Sequence, residues 1–387
     1  HGTMTAGIAA ANSNNSVGIA GVAWTVKVLP VRAIGKCGGS SLDMADAIRW
    51  AAGLQVTGVT NNPPANVAKV IYIGAGTAPG IACGQTLQAA ITAAIEAGSV
   101  VVAPTGNHGE LSISSPANCT GVVAVTAHAI NGESTQYSNV GGTGPNPTIS
   151  APGGGSPASL GSAPPGNPSG IDDPAWEGYY VWSTAPGLTP PGNIKRTGTS
   201  LAAAQVAGVA ALIKAKVPNA TPAQITSALT TGARPHPELT YCAPGRNRDG
   251  HCGIGLLDAT RALQAAGPPT VTTPPRAVTV TAGQPATFTV EAIGVVSYQW
   301  RRAGAAVAGA TNASYTTGAT ASTDTNVGFD VVLTNSFGQT ISPPAVLTVN
   351  SAASNSPSGG GALPLWQLLL LAALLLANRV RITHREQ

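Results

Sequence analysis

The stretch GTSLAAAQVAGVAALI, Gly198–Ile213, places one serine two residues after a glycine, at the head of a run of small apolar residues. The run reads as a helix over Leu201–Val217, closed by Pro218. Serine at a helix start is most often a cap. Here Gly198 permits a tight turn, and the alanines and glycine behind Ser200 let the helix pack deep in a domain. A serine so placed keeps its backbone N–H free and lies in the positive end of the helix dipole. That environment suits a nucleophile whose attack generates an oxyanion.

On either side of this helix, short apolar runs alternate with alanine-rich helical patterns. Val26–Arg32, Val67–Ile73, Ser99–Ala103 and Gly121–Ala127 are β-branched and almost continuously apolar, as strands buried on both faces read. Leu42–Ala52 follows a Ser-Ser cap. Gln85–Ala97 spaces Leu87, Ile91 and Ile95 four apart and stops at Gly98, and Thr221-Pro222 supplies an N-cap and first-turn proline. Alternation of strand and helix predicts an α/β domain with a parallel sheet covered on both sides, over residues 1–266. Gly141–Asn193, rich in Gly, Pro and Ser, reads as long loops around a few short strands.

The pattern changes after Gly267. Pro268–Pro275 reads as a proline-rich linker, with the boundary drawn at 267–275. Residues 276–350 carry short alternating strands, at Val278–Val280, Thr287–Ala292, Ser297–Arg301, Phe329–Thr334 and Ala345–Val349, and predict a small β-sandwich. Residues 351–361 form a Ser/Gly spacer. Ala362–Ala377 is apolar apart from Gln367 and is followed by Arg379, Arg381 and Arg385. This run is short for a spanning helix, which needs about 20 residues. Its place after a spacer and before a basic tail favours a membrane or sorting segment over 362–387 rather than a buried core helix.

Composition excludes several function classes. Only 9% of the 387 residues are charged and 43% are hydrophobic, which removes a disordered chain. A net charge of +4 spread over this length gives no basic footprint for nucleic acid. There is no H-E-x-x-H zinc motif, no phosphate-binding G-x-x-x-x-G-K-[ST] loop and no G-x-S-x-G elbow. GAGTAPG, Gly74–Gly80, follows a strand as a dinucleotide fingerprint would, but its spacing is one residue off and Pro79 interrupts it.

Two further segments complement Ser200. HGTMTAGIAAA puts His1 at the head of a small-residue helix, and VVVAPTGNHG puts Asn107 at a glycine-flanked turn after a buried strand. Alone, the histidine reads as structural and the asparagine as turn chemistry. Together, in this order, the three segments resemble the subtilisin-like serine proteases, whose patterns are H-G-T-H-V-A-G, A-A-G-N and G-T-S-M-A-A-P-H-V-A-G. VKVLPVRAIGKCGG, VVAVTAHAINGESTQYSNVG, ISAPGG and CGIGLLDA extend the resemblance over about residues 1–266. It implies a subtilisin-like, three-layer parallel-sheet domain that hydrolyses peptide bonds.

The resemblance also implies roles. His1 is the expected general base and Ser200 the nucleophile that forms an acyl-enzyme. Asn107 and the Ser200 N–H are the expected oxyanion donors. Gly74, Ala75 and Gly76, with Gly38, Gly39 and Ser40, are expected to pair with extended substrate. The family order Asp, His, Ser puts the third triad member before residue 1. None of Asp43, Asp46, Asp172, Asp173, Asp249 or Asp258 fits the pattern, so the chain is expected to be an N-terminally truncated piece, nearly inactive alone. Departures occur at Met4, Leu201, Ala204 and Gln205, and VIYIGAGT, Val70–Thr77, replaces the family's N-x-S-x-G pattern. Calcium is common in the family, although no acidic cluster in the sequence marks a site.

SYQWRR and FDVVLTNSFGQ, in the C-terminal strands, resemble immunoglobulin-like modules of bacterial cell surfaces, with Trp300 as the core tryptophan and no inter-sheet cysteines. Phe329 stands where those modules usually carry a corner tyrosine. The GGG, apolar and arginine layout of the tail resembles glycine-glycine sorting signals. By resemblance to secreted relatives, Cys83 is expected to pair with Cys119 and Cys242 with Cys252. Cys37 then keeps either a buried free thiol or a partner upstream. Disulfides imply an oxidising compartment and a secreted or surface-bound protein. Protein substrates are the expected partners. A non-cleaving binding scaffold, and an adhesin built on the β-sandwich, are the competing readings.

Overall fold

The computed structural model describes residues 1–142, 144–155, 181–184 and 193–352. In chain order the first domain contains α1 (Gly2–Ala10), α2 (Ser41–Ala51), β1 (Val70–Tyr72), α3 (Gln85–Glu96), β2 (Val100–Pro104), β3 (Val123–His128), β4 (Ile149–Pro152), β5 (Val181–Thr184), β6 (Asn193–Arg196), α4 (Thr199–Lys216), α5 (Pro222–Thr231) and α6 (Ala259–Ala265). Strands β1 to β4 form one parallel sheet in that order, with Val70 opposite Val100, Val102 opposite Val123 and Val125 opposite Ile149. β5 and β6 form a separate antiparallel pair.

The apolar runs are continuous because both sheet faces are covered. Val100, Val102, Val123 and Val125 pack with Ala203, Val206, Ala210 and Ile213 of α4. The alternate residues Val101, Ala103 and Ala124 pack with Ile48 of α2 and with Leu87 and Ile91 of α3. This is the period-two division of a parallel sheet between two helical layers. Close approach explains the small residues of α4: a Cβ on Gly208 would lie 2.7 Å from Val22 Cβ and 3.1 Å from the Ala9 carbonyl oxygen. The helix starts are also legible. Ser40 caps α2, accepting from the Asp43 N–H, while the Asp43 carboxylate accepts the Ser40 N–H at 2.8 Å. Thr221 caps α5 with the reciprocal bond from Gln224.

One predicted strand does not form. Val26–Arg32 joins no ladder among the described residues, and Val28 and Val31 are exposed. Apolar β-branched sequence makes a strand only where a neighbour offers its free N–H and C=O groups, and no described strand lies beside this one.

The proline-rich segment is also not a free linker. Thr270–Thr273 forms β7 and pairs antiparallel with β10 (Glu291–Ile293). Thr340 Oγ1 donates to the Pro269 carbonyl at 2.6 Å, and Asn335 Nδ2 donates to the Gly267 carbonyl at 2.7 Å. Gln224 Nε2 on α5 reaches the Ser336 carbonyl at 2.8 Å, and Phe337 packs against the first domain's core. Composition suggested a spacer because proline disfavours central strands, but alternating Thr-Val-Thr-Thr suffices for an edge pair.

The remaining strands are β8 (Val278–Thr281), β9 (Thr287–Thr289), β11 (Ser297–Arg302), β12 (Ala305–Ala306), β13 (Ser314–Thr316), β14 (Gly328–Asn335), β15 (Gly338–Ile341) and β16 (Ala345–Asn350). The main sheet runs β12-β11-β14-β16-β8 with β15 beside β14, and β9 pairs with β13. The single strand predicted over Thr287–Ala292 is thus divided between β9 and β10, which pair with different partners. Trp300 is fully buried and donates Nε1–H to the Asn312 carbonyl at 2.9 Å. Phe288 and Phe329 stack at 4.6 Å in the same core.

Among the described residues no helix is long and apolar enough to cross a membrane. The predicted apolar segment 362–377 and its basic tail lie outside the described residues, as does most of the predicted loop region 141–193.

Candidate active site

One cleft gathers the carboxyl ends of β1 and β2 and the start of α4. It is lined by Gly74–Thr77, Pro104, Gly106–His108, Ser114, Thr199 and Ser200. Ligands of parallel sheets favour this position, because loops leaving the strand ends converge there. The structure therefore brings Ser200, Asn107, Gly74, Ala75 and Gly76 together.

Ser200 is the second residue of α4, and Gly198 is its N-cap with φ +150°, a conformation that favours glycine. Among the described residues the Ser200 N–H has no acceptor. It is one of the unpaired first-turn donors of the helix, directed where the dipole is positive.

Asn107 is held in one orientation by a residue that sequence reading passed over. Thr199 donates both its backbone N–H (2.9 Å) and its hydroxyl (2.8 Å) to Asn107 Oδ1, and its Oγ1 accepts the Gly106 N–H at 3.3 Å. A backbone N–H can only donate, so the amide atom facing Thr199 is the oxygen. Nδ2 is thereby left as a free donor near the Ser200 turn. The signal for Thr199 was present in the sequence as the residue before Ser200, but only tertiary contact shows what it holds.

His1 is the N-cap residue of α1 and is exposed. Its helix packs on α4 through Ile8, Leu201 and Ala204. Among the described residues no hydrogen bond joins His1 to Ser200 and no carboxylate pairs with His1. Catalytic hydrogen bonds are often long without substrate and tighten on binding. The candidate acids within the described residues have other partners or faces. Asp43 completes the α2 capping box, and that hydrogen bonding holds its carboxyl below the usual range. Asp46 is exposed on α2, and Asp249 accepts the Gly245 N–H. Asp258 caps α6 and pairs with Arg234 at 3.3 Å. Asp172 and Asp173 lie outside the described residues.

The two glycine segments differ. The N–H groups of Gly74, Ala75 and Gly76 have no acceptor among the described residues, while Thr77 N–H is fixed on the Ser115 carbonyl at 2.8 Å. Gly38, Gly39 and Ser40 do not line the cleft. Gly38 exchanges both backbone bonds with Gly35, and Ser40 N–H is taken by the Asp43 carboxylate. The cleft also contains His108 and Ser114, neither of which carried a motif of its own.

The expected disulfides form between Cys83 and Cys119 and between Cys242 and Cys252. Cys37 is unpaired and exposed, so the buried-thiol reading is wrong: its turn lies on the surface, with Gly35 and Gly38 bonded around it. No group of three or more His, Cys, Asp or Glu is placed to hold a metal ion among the described residues.

A Ser–His contact does lie in the core. His128 Nδ1 is 2.9 Å from Ser150 Oγ, and both residues are sealed from solvent, at 5% and 1% exposure. Burial, with neighbouring His236 and Arg234, pushes the His128 pKa down to about 3. An inaccessible serine cannot meet substrate, so this pair is structural. It has a consequence for stability. Unfolded histidine titrates near 6.5, whereas folded His128 stays neutral to about 3. The unfolded state therefore takes up the extra proton, and stability present above pH 6.5 is lost as pH falls toward 3, at about 1.4 kcal/mol per pH unit. Buried His236, also shifted down, acts in the same direction. Unfolding midpoints measured from pH 7.5 to 4.5 should fall steeply, and His128→Asn should flatten that slope; equal slopes would show that His128 does not titrate on unfolding.

Comparison with known proteins places the first domain in a family. The model of the subtilase family matches residues 1–267. The chain is 40% identical over 268 residues to an extracellular protease of Xanthomonas campestris pv. campestris, covering 69% of this chain and 40% of that protein. It is 33% identical over 272 residues to the extracellular basic protease of Dichelobacter nodosus, covering 68% and 39%. It thus spans about two fifths of the length of these relatives. Among solved structures, a protease of Pseudoalteromonas arctica superposes with a TM-score of 0.57 at 39% identity, covering 69% of this chain and 71% of that one. With a family match over residues 1–267 and a glycine-turned serine at a helix start beside an anchored asparagine amide, this chain belongs to the subtilase family.

Proposed function

We propose that this chain is the catalytic part of a secreted serine endopeptidase. The observation that carries the reading is the donor pair at the head of α4. Ser200 N–H is unpaired, and Asn107 Nδ2 is freed because Thr199 holds Oδ1.

In this reading Ser200 Oγ attacks the peptide carbonyl carbon, and His1 takes the hydroxyl proton. The carbonyl oxygen becomes an oxyanion between Asn107 Nδ2 and the Ser200 N–H. His1 then gives the proton to the departing amine, leaving an acyl-enzyme on Ser200 that water hydrolyses by the same path. No described carboxylate pairs with His1, and by the family order Asp, His, Ser the residue that would orient it precedes it. Extended substrate adds as a strand along the free N–H groups of Gly74–Gly76. Of Gly38–Ser40, which lie outside the cleft lining, only Gly39 has an N–H without an acceptor among the described residues.

Export fits the two disulfides and the extracellular relatives. The C-terminal module is read as immunoglobulin-like, and residues 362–377 as a sorting or anchoring segment. The module contacts α5, near the far end of α4 from Ser200. That helix has 18 residues and so is about 27 Å long, which separates the module from the cleft.

A fluorophosphonate probe tests the reading. The protein extended ahead of His1 should label once, on Ser200, and the 387-residue chain alone should label far more slowly. Absence of labelling in the extended protein would favour a non-cleaving scaffold.

A further inference from the structure

We infer that Tyr72 is a positioning residue for the Ser200 nucleophile and that Tyr72 and Gly74 are a coupled pair, an inference that rests on the reading of Ser200 given above. Among the described residues of the first domain, two tyrosine rings approach the turn that carries Ser200. Tyr137 accepts the Gly198 N–H at 3.1 Å, and its hydroxyl lies 2.8 and 2.7 Å from the Gly153 and Gly154 carbonyls. Tyr72, the last residue of β1, donates its hydroxyl to the Ser200 carbonyl at 3.1 Å. The peptide before Gly198 is thus held by Tyr137 and the Gly153 carbonyl, the Thr199 N–H by Asn107, and the peptide after Ser200 by Tyr72.

Tyr72 also reaches the histidine helix. Its ring packs against the cluster of Ile8 from α1 with Leu201 and Ala204 from α4. One side chain therefore touches both helices whose first residues are His1 and Ser200. A shift in either helix changes the distance across which the proton must move. Small positional errors at a reacting centre are costly because geometry, rather than binding, is lost. Burial raises the Tyr72 hydroxyl well above its ordinary pKa, which keeps it a hydrogen-bond donor over the working pH range.

The same ring explains a feature of the cleft. Residues 72 and 74 point to one side of an extended chain. A Cβ at Gly74 would lie 2.6 Å from the Tyr72 hydroxyl oxygen and 2.8 Å from its Cε1. The tyrosine occupies the space of a side chain at position 74, so that position must be bare and the cleft offers only backbone there.

The test uses the protein extended ahead of His1, with active sites counted by the fluorophosphonate. Tyr72→Phe keeps the ring and removes the bond to Ser200. It should lower kcat per titrated site by about 3- to 10-fold, with KM within about twofold and the labelling rate reduced by the same factor as kcat. A purely structural tyrosine would lower the unfolding midpoint but leave kcat per site intact, and that result would overturn the proposal. If the parent protein does not label at all, the nucleophile reading fails and this one with it; if the parent labels and Tyr72→Phe matches it, only this one fails. Coupling is read separately from stability. Gly74→Ala should lower the unfolding midpoint sharply in the parent and far less beside Tyr72→Leu, whereas additive losses would refute the pairing.

Discussion

Ser200→Ala should lower turnover of a peptide substrate by about 10⁶-fold, the order known for the corresponding serine of subtilisin, which belongs to the same family. The reason lies in what the substitution leaves behind. Ser200 Oγ makes no hydrogen bond to another described residue, so its removal costs the fold little. The Ser200 N–H and Asn107 Nδ2 remain, since one is backbone and the other is held by Thr199. KM should therefore stay close to the parent value, and residual catalysis of about 10³–10⁴ over water should persist from the oxyanion donors and binding. Replacing His1 as well should add almost nothing, because base and nucleophile act as one unit. The measurement is kcat and KM on a chromogenic peptide with the protein extended ahead of His1. A Ser200→Ala protein keeping more than about one hundredth of parental turnover would place the nucleophile elsewhere, against the order of loss known for this step.

Asn107→Asp should lower kcat by about 10²–10³-fold with little change in KM, the range reported for this donor in subtilisin. Aspartate keeps an oxygen for the two Thr199 donors and so preserves the local fold. It replaces the free N–H₂ with an acceptor that faces the developing negative charge. Asn107→Leu gives a different pattern. It removes the same donor but also strands the Thr199 N–H, in a residue fully buried, at a cost of about 1–3 kcal/mol of stability. Activity loss in both variants with a lowered unfolding midpoint only in leucine separates catalysis from support. Equal stability losses would show that Thr199 does not depend on Asn107, and unchanged kcat in Asn107→Asp would remove the amide from the oxyanion site.

Much of the first domain was legible because its signals are local. Continuous apolar runs identified β1, β2 and β3, and Ser40 and Thr221 marked the starts of α2 and α5 through bonds spanning three residues. Ser200 stood out because a nucleophile turn needs glycine and a small-residue helix behind it, whereas Asn107 alone read as turn chemistry and took its expected role only from the family resemblance. Trp300 was readable as a core residue through the resemblance of its strand to immunoglobulin-like modules, and it is buried.

What escaped was decided by partners distant in sequence. Val26–Arg32 has the composition of a strand but not a described neighbour, and ladder bonds need two sides. Thr270–Thr273 looked like a spacer and became a strand because Glu291–Ile293 lies beside it. His128 lay just past the predicted strand Gly121–Ala127 with no reading of its own, and its depressed pKa follows from burial, with His236 and Arg234 nearby.

The sequence by itself determined that a serine stands at the head of a close-packing helix in an α/β domain, because turn, cap and periodicity act within a few residues. Only the tertiary structure decided which way the Asn107 amide faces, why Gly74 is bare, and which acids are already committed. Those outcomes depend on Thr199, Tyr72 and the helix caps meeting other groups in space, and contact energies of that kind leave no fixed spacing along the chain.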